Sequence, residues 1–214
     1  MDRDTTIPQS ASLTAPFTQG GLILGITGGT GCGKTTLLKT IAEKGGLILD
    51  CDAIYHELLS SDTALLAAIE NRFPGTVENG QLQRKKLGAI VFADEAALQD
   101  LNRITHGAIK AEVLQRLADA PKLAAIDAIA LFEGGLAELC DVTVAVTAPE
   151  EVRVKRLMLR DNISEDYARS RIAAQHSEKW FREHCNFTLE NHGTEAEFRE
   201  KCLAFLQNPD IIIE

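Results

Sequence analysis

Residues 28–35 read Gly-Gly-Thr-Gly-Cys-Gly-Lys-Thr, and this stretch decides the fold. It matches the pattern G-x-x-x-x-G-K-[ST] without a gap. Glycines let the backbone point successive N–H groups inward around an anion, and the helix that follows directs its positive end at the same point. In such a loop Lys34 contacts the β- and γ-phosphates of a nucleoside triphosphate, and the Thr35 hydroxyl ligates Mg²⁺. The stretch therefore predicts a phosphate-binding loop (P-loop) for ATP or GTP.

The segments on either side of the loop support this prediction. Residues 22–27 form a short apolar run typical of a strand buried on both faces, and residues 35–44 are expected to be helical. Gly45-Gly46 ends that helix, and residues 47–50 form a second apolar strand. Strand, helix and strand within about thirty residues make a βαβ unit, so we predict a parallel sheet.

Three later apolar runs, at 123–128, 142–146 and 187–189, bring the predicted sheet to five strands. Thr147-x-x-Glu150 has the form of a capping box that opens a helix to about residue 160, and a second helix is expected near Ser164. The predicted fold is an α/β P-loop NTPase fold of three layers, α/β/α, around a five-stranded parallel sheet. We predict a disordered leader (1–20), one domain (21–207) with its core at 21–52, 122–150 and 183–207, a helical insertion (53–121), a helical segment (151–182) and a C-terminal tail (208–214).

The composition excludes several classes of protein. The 214 residues are 45% hydrophobic and 25% charged, as in ordinary globular domains. A net charge of −9 disfavours a nucleic-acid partner, and no run approaches the roughly 20 apolar residues that a membrane helix needs. The N-terminal segment lacks the pattern of a secretion signal, and five cysteines without a C-x-x-C pair indicate reduced thiols. We therefore expect a cytoplasmic enzyme that binds neither nucleic acid nor membrane.

An acidic pair follows the second strand. The chain has no Asn-Lys-x-Asp run of the kind that reads guanine, and its size favours a small-molecule kinase. Asp50 and Asp52 lie at i and i+2, so on extended chain they share one face near the ligand crevice. One carboxylate could then accept a proton from the acceptor hydroxyl while the other holds Mg²⁺ or orients the substrate. The alternative is a pair of solvated turn aspartates. Asp127 follows four apolar residues at 123–126 and is either a magnesium ligand or an ordinary strand end.

Eight basic and four acidic residues lie between Arg153 and Arg182. Arg153, Arg156 and Arg160 fall at i, i+3 and i+7, within a narrow arc of a helix. Such a cluster would neutralise charge on a transferring phosphoryl group, unless it only pairs with nearby acids at the surface. We expect the thiol pKa of Cys32 to be lowered at the start of its helix. Tyr55 and Trp180 are interpreted as packing residues.

Together these segments resemble the dephospho-CoA kinase family. The resemblance rests first on TGGTGCGKTT at 27–36, followed by DCDAIYHEL at 50–58. It continues in order to about residue 206 through Gly80-x-Leu82-x-Arg84, Leu101-Asn102, His106, Leu131-Phe132-Glu133, Arg156-x-x-x-Arg160-Asp161, Arg171-Ile172-x-x-Gln175 and Asn191-x-Gly193.

The resemblance implies transfer of the ATP γ-phosphoryl group to the ribose 3′-hydroxyl of dephospho-CoA, which gives coenzyme A and ADP in the last step of CoA biosynthesis. ATP and Mg²⁺ are the implied cofactors. The small-molecule acceptor is the implied partner, and we expect a monomer or a weak homo-oligomer. The alternatives are another nucleotide, nucleoside or small-molecule kinase, or an ATP-binding switch protein.

The resemblance also implies that 21–207 is a kinase domain, that the insertion at 53–121 binds the acceptor and that the helical segment at 151–182 is a lid. It further implies roles for individual residues. Asp52 would be the base, and Lys34, Arg156 and Arg160 would stabilise charge. Asp50, His56, Arg84 and His106 would bind the acceptor, although each histidine could be purely structural. Thr35 would hold Mg²⁺, with Asp50 or Asp127 as a further ligand. The nucleotide would contact Gly28, Gly29, Thr30, Gly31, Cys32, Gly33, Lys34, Thr35, Thr36 and Asn191.

Overall fold

The computed structural model describes residues 21–208 and Ile211. The predicted leader and most of the predicted tail lie outside the described residues. A parallel five-stranded sheet forms the centre, in the order β2-β5-β1-β6-β7, and a two-stranded antiparallel hairpin, β3-β4, stands apart. The strands are β1 (Leu22–Thr27), β2 (Leu47–Asp50), β3 (Val77–Glu78), β4 (Gln81–Leu82), β5 (Leu123–Asp127), β6 (Val142–Thr147) and β7 (Phe187–Glu190).

Helices cover both faces of the sheet, which confirms the predicted three-layer α/β fold. Along β1, Ile23 packs into one apolar cluster, whereas Leu24 and Ile26 pack into the other. Burial on both faces explains why the sheet strands read as continuous apolar runs rather than as alternating ones. The helices are α1 (Lys34–Glu43), α2 (Cys51–Ser61), α3 (Thr63–Arg72), α4 (Arg84–Val91), α5 (Glu95–Leu117), α6 (Glu150–Asp161), α7 (Glu165–Ala173), α8 (Glu178–His184) and α9 (Glu195–Leu206).

Helices α2 to α5 and the β3-β4 hairpin fill the segment between β2 and β5. The hairpin was not predicted. It turns at Asn79 and Gly80, whose φ values of 51° and 73° suit the tight turn that joins two antiparallel strands. Helix α2 already begins at Cys51, because the Asp50 carboxylate caps it by accepting the N–H of Ala53 at 3.0 Å. The prediction that Asp50 and Asp52 lie on extended chain is therefore wrong.

The segment between β6 and β7 forms α6, α7 and α8. Ser164 caps α7, as predicted. The capping box predicted at Thr147-x-x-Glu150 is wrong, since Thr147 still belongs to β6 and Pro149 precedes the first residue of α6. A capping box does form further on, where Thr194 and Glu197 close the start of α9. Among the described helices, none is long and apolar enough to span a membrane.

Candidate active site

The loop between β1 and α1 has the backbone of an anion cradle. Gly28, Gly31 and Gly33 all have positive φ, at 135°, 77° and 92°. A Cβ at Gly28 would lie 2.2 Å from the Val146 carbonyl oxygen, so this close approach of β1 to β6 requires glycine. Helix α1 then starts at Lys34, and its free N–H groups and positive end face the loop.

The side chains at the start of α1 complete the P-loop. The Lys34 ammonium donates to the Gly28 carbonyl at 3.1 Å and so stays folded over the loop. Thr35 follows it with an exposed side chain, and the Thr36 N–H donates to the Gly33 carbonyl at 3.2 Å. Lys34 and Thr35 thus lie where the sequence predicts them, at the rim of the anion cradle.

Three carboxylates gather beside this loop at the carboxyl ends of β2 and β5. Asp50 and Asp127 are register partners on these two strands, and Asp52 lies in the first turn of α2. The pKa of Asp127 is raised to about 6, because burial outweighs the attraction of Lys34, with further increases from Asp50 and Asp52. The three aspartates and Lys34 therefore form one electrostatic cluster.

Asp127 fits a magnesium site. Its Oδ1 atom is buried and has no hydrogen-bond partner among the described residues. A buried carboxylate oxygen without a partner is costly unless a cation or a water completes it. The Asp50 carboxylate and the Thr35 hydroxyl at the same edge add further hard oxygen donors of the type that Mg²⁺ prefers.

A cavity of about 250 Å³ opens next to this cluster, between α2, α5 and the loop that follows β5. Asp52 lies on its wall, and within the described part of the chain its carboxylate makes no hydrogen bond and no ion pair. His106 and Tyr55 line the same cavity. Tyr55 packs against the apolar core, which confirms its interpretation as a packing residue, and it forms part of the cavity wall as well. The remaining lining residues are Cys51, Leu101, Asn102, Thr105, Ile109, Ala128, Ile129, Ala130, Gly134 and Leu136.

His56 and Arg84 meet although 28 residues separate them. The Arg84 Nη2 atom lies 3.2 Å from His56 Nδ1, where α2 faces the start of α4. Both side chains are exposed, and Tyr55 lies within Coulombic reach of Arg84. The structure therefore brings two of the predicted acceptor residues together, one helical turn from Asp52.

Arg156 and Asn191 hold the P-loop from the side of the lid. Arg156 Nη1 donates to the carbonyls of Gly31 and Cys32 at 3.2 and 3.3 Å, and its Nη2 donates to Asn191 Oδ1 at 3.2 Å. Asn191 Nδ2 in turn donates to the Cys32 carbonyl at 2.9 Å. Asn191 is 4% exposed, and its side chain binds the loop through both ends of its amide.

The surroundings of Arg160 and Cys32 differ from those that the sequence predicts. Arg160 does not reach the loop: it pairs through both Nε and Nη2 with the adjacent Asp161, at 2.7 and 2.9 Å, and Asp161 also binds Arg171. The pKa of Cys32 is raised rather than lowered, because burial outweighs the positive charges of Arg153, Lys34 and Arg156. The prediction of a lowered thiol pKa is therefore wrong.

The segment predicted to be a lid contacts the loop after β5 through an aromatic cluster on α8. Trp180 stacks between His176 and His184, with ring centroids 3.7 and 4.0 Å apart, and its edge meets Phe132. His176 Nε2 also lies 2.5 Å from a carboxylate oxygen of Glu133. Because Phe132 and Glu133 belong to the loop that walls the cavity, this cluster connects the lid with the candidate acceptor site.

Comparisons with known proteins agree with this geometry. The model of the family described as CoaE, dephospho-CoA kinase, matches residues 22–197. A dephospho-CoA kinase of Thermobifida fusca is 36% identical over 82% of this chain and 90% of its own length. One of Syntrophotalea carbinolica is 37% identical over 86% and 90%. The crystal structure of TT1252 from Thermus thermophilus, 30% identical, superposes with a TM-score of 0.76 over 88% of this chain and 97% of its own. The chain belongs to the dephospho-CoA kinase family.

Proposed function

We propose that this chain transfers the γ-phosphoryl group of ATP to the 3′-hydroxyl of dephospho-CoA and forms coenzyme A and ADP. One observation carries the proposal beyond family membership. Asp52 presents an unpaired carboxylate, as far as the described residues go, to a cavity that opens next to the acidic cluster, and Lys34 of the P-loop belongs to the same charge cluster. An acceptor hydroxyl in this cavity would meet a base on one side and the phosphate cradle on the other.

Asp52 suits the role of base better than Asp50. The Asp50 carboxylate accepts the N–H of Ala53 and is fixed as the cap of α2. Asp52, two residues on, is exposed and lies on the wall of the cavity. We assign Asp52 to take the proton of the acceptor hydroxyl, and Asp50 to orient the substrate or the metal from its fixed position.

We assign the neutralisation of negative charge on the transferring phosphoryl group to Lys34 and Arg156. Lys34 sits over the loop, and Arg156 contacts two carbonyls of the same loop. Arg160 would have to leave Asp161 to join them, which a movement of the lid would permit. We propose that Thr35, Asp127 and Asp50 hold Mg²⁺, which when bound would neutralise phosphate charge.

We assign recognition of the acceptor to the cavity and its neighbouring basic residues. Dephospho-CoA carries an adenosine, a diphosphate and a long arm. His106 and Tyr55 line the apolar cavity, whose walls suit a flat or aliphatic group. Arg84 and His56 lie next to it with exposed N–H donors, which suit the diphosphate.

A substrate panel tests the proposal. Purified protein would be given ATP and Mg²⁺ with dephospho-CoA, adenosine, AMP, CMP or shikimate, and ADP release would be followed by a coupled assay. We expect kcat/KM for dephospho-CoA to exceed the others by orders of magnitude. Equal or faster turnover of a nucleoside monophosphate would refute the acceptor. ADP release that does not depend on any acceptor would instead indicate a switch protein.

A pair of variants tests the acceptor site itself. Arg84→Ala should raise KM for dephospho-CoA about tenfold and leave KM for ATP unchanged, because Arg84 lies on the acceptor side. Lys85→Ala is the matched control, since Lys85 is the next basic residue of α4 and is also exposed. Equal effects of the two variants would mean that only the overall charge of α4 matters.

We also propose that the enzyme works in the cytoplasm as a monomer or weak homo-oligomer. All five cysteines are free thiols, which supports a reducing compartment. The P-loop, the acidic cluster and the cavity are all built from one chain, which supports activity without a partner subunit. Sedimentation at assay concentrations tests this, and a loss of specific activity on dilution would show that assembly is required.

A further inference from the structure

Two side chains of the lid, Gln175 and Arg153, hold one residue of the P-loop, Thr30, in an arrangement that we call the bracket. Gln175 Oε1 accepts the N–H of Thr30 at 2.8 Å, and Arg153 Nε donates to the carbonyl oxygen of Thr30 at 2.9 Å. Arg153 Nη2 also donates to Gln175 Oε1 at 3.0 Å, which closes the bracket. Both backbone polar groups of Thr30 are therefore held by residues more than 120 positions away in the chain.

Arg153 brings a buried positive charge to the loop. The residue is 8% exposed, and among the described residues it forms no ion pair with a carboxylate. Its charge is satisfied there only by neutral oxygens, which is a costly arrangement unless an anion joins it. The positive charge of Arg153 also acts on Cys32 inside the loop. Burial raises the pKa of the Cys32 thiol, and of the influences that lower this pKa, the charge of Arg153 is the largest.

Arg153 also explains a glycine that the motif does not require. Position 29 is a free position of the pattern G-x-x-x-x-G-K-[ST], and Gly29 does not have the left-handed backbone that favours glycine. A Cβ there would lie 2.2 Å from Arg153 Nη2 and 2.7 Å from its Cζ. The guanidinium thus occupies the space that a side chain at 29 would fill.

We propose that Arg153 and Gln175 are positioning residues that hold Thr30 and keep the P-loop in its phosphate-binding shape. Arg153 lies on α6 and Gln175 follows α7, so the bracket also ties nucleotide affinity to the position of the lid. This inference rests on the proposed function in one respect, namely that the loop binds nucleotide phosphates. It does not depend on the identity of the acceptor.

Nucleotide binding by calorimetry with Mg²⁺ and ADP tests the bracket without any acceptor. Gln175→Met keeps the length of the side chain and removes the acceptor oxygen. We expect it to weaken ADP binding about tenfold, the effect of losing a hydrogen bond to a charged group. KM for ATP should rise by a similar factor, while kcat at saturating ATP should fall less than about threefold. Arg169→Ala is the control, because Arg169 pairs with Glu150, Glu151 and Glu165 within the lid and away from the loop.

A double-mutant cycle between Gly29 and Arg153 supplies the decisive comparison. Gly29→Ala should displace the guanidinium and weaken ADP binding as much as Arg153→Ala does. The double variant should then be no weaker than Arg153→Ala alone, because a methyl group at position 29 fits once the guanidinium is gone. If the double variant instead loses ADP affinity by the product of the two single-variant losses, the two positions act independently and the proposal is overturned.

The Gln175→Met result stands alone should Arg153→Ala not fold. ADP affinity within about twofold of the unaltered chain would refute the positioning role. So would a loss of affinity equal to that of Arg169→Ala, since it would trace to general loosening of the lid. Failure of dephospho-CoA as acceptor would refute the proposed function but would leave these binding results interpretable.

Discussion

Asp127→Asn should gain stability relative to the unaltered, unliganded chain as the pH rises from about 5 to above neutral, while it removes a candidate metal ligand. The pKa of Asp127 is about 6 against an ordinary 3.8, with burial as the main cause. The folded chain therefore holds this proton more tightly than the unfolded chain does. Stability from this group is fully present below about pH 3.8 and is lost as the pH rises through about 6.

The size of the effect follows from the shift. About two pKa units correspond to about 3 kcal/mol of lost stability once the pH is above about 7, and to about half of that at pH ~5. Asparagine does not titrate, so the variant should gain about 1.5 kcal/mol on the unaltered chain between these two pH values. For a chain of this size that gain equals roughly 3–6 °C in Tm. Any effect of the asparagine amide that does not depend on pH cancels when the stability difference between the two proteins is compared at the two pH values.

Urea and thermal unfolding without nucleotide or Mg²⁺, at about pH 5 and about pH 7.5, measure this difference. Asp119→Asn is the control, because Asp119 is an exposed aspartate just past the end of α5. A difference between Asp127→Asn and the unaltered chain that stays flat with pH would refute the raised pKa. With Mg²⁺ present, the unaltered chain should bind the metal more tightly as the pH rises through about 6, and Asp127→Asn should lose that dependence.

Three further results are expected. Lys34→Ala should abolish detectable transfer and leave the circular dichroism spectrum unchanged, because within the described chain its ammonium bonds only the Gly28 carbonyl; near-normal turnover would refute the P-loop assignment. Asp52→Asn should lower kcat by roughly 10²–10⁴-fold in steady-state assays, whereas a rise in KM for ATP alone would make Asp52 a nucleotide or metal ligand. Cys32 should resist iodoacetamide in the native protein, because burial raises its pKa, and rapid inactivation would contradict that burial.

The P-loop and the sheet strands could be predicted because they are local properties of the chain. Glycines at fixed spacing, one apolar run before them and a helix after them determine the loop without help from distant residues. The same applies to Ser164, whose hydroxyl caps the next helix within three residues. The order of the strands was not predicted, because it depends on which strands pair in space and not on the sequence of any one of them.

Two local patterns predict the wrong structure, because a different interaction of residues within each pattern determines the backbone. Thr147-x-x-Glu150 has the letters of a capping box, but Pro149 holds extended backbone just before α6 and Thr147 remains paired in the sheet. Asp50 and Asp52 looked like one face of a strand, but the capping bond of Asp50 starts a helix between them.

The spacing of the arginines on α6 predicts that Arg156 and Arg160 reach the same site, but only Arg156 contacts the P-loop. Arg156 and Arg160 share an arc, but Arg160 lies one turn further from the loop, at a rise of about 1.5 Å per residue. It instead meets Asp161 and stays on the surface. The bracket made by Arg153 and Gln175 could not be foreseen at all, because its partners are brought together only by the packing of the lid on the P-loop.

Trp180 gives the protein an internal optical reporter. It is the single tryptophan of the chain, so selective excitation of indole observes one position only. That position lies on α8, between two imidazole rings and against Phe132, which belongs to the loop along the acceptor cavity. Any movement of α8 away from that loop changes the stacking around the indole and hence its emission. Stopped-flow fluorescence of the native chain can therefore detect and time any movement of α8 without an attached dye.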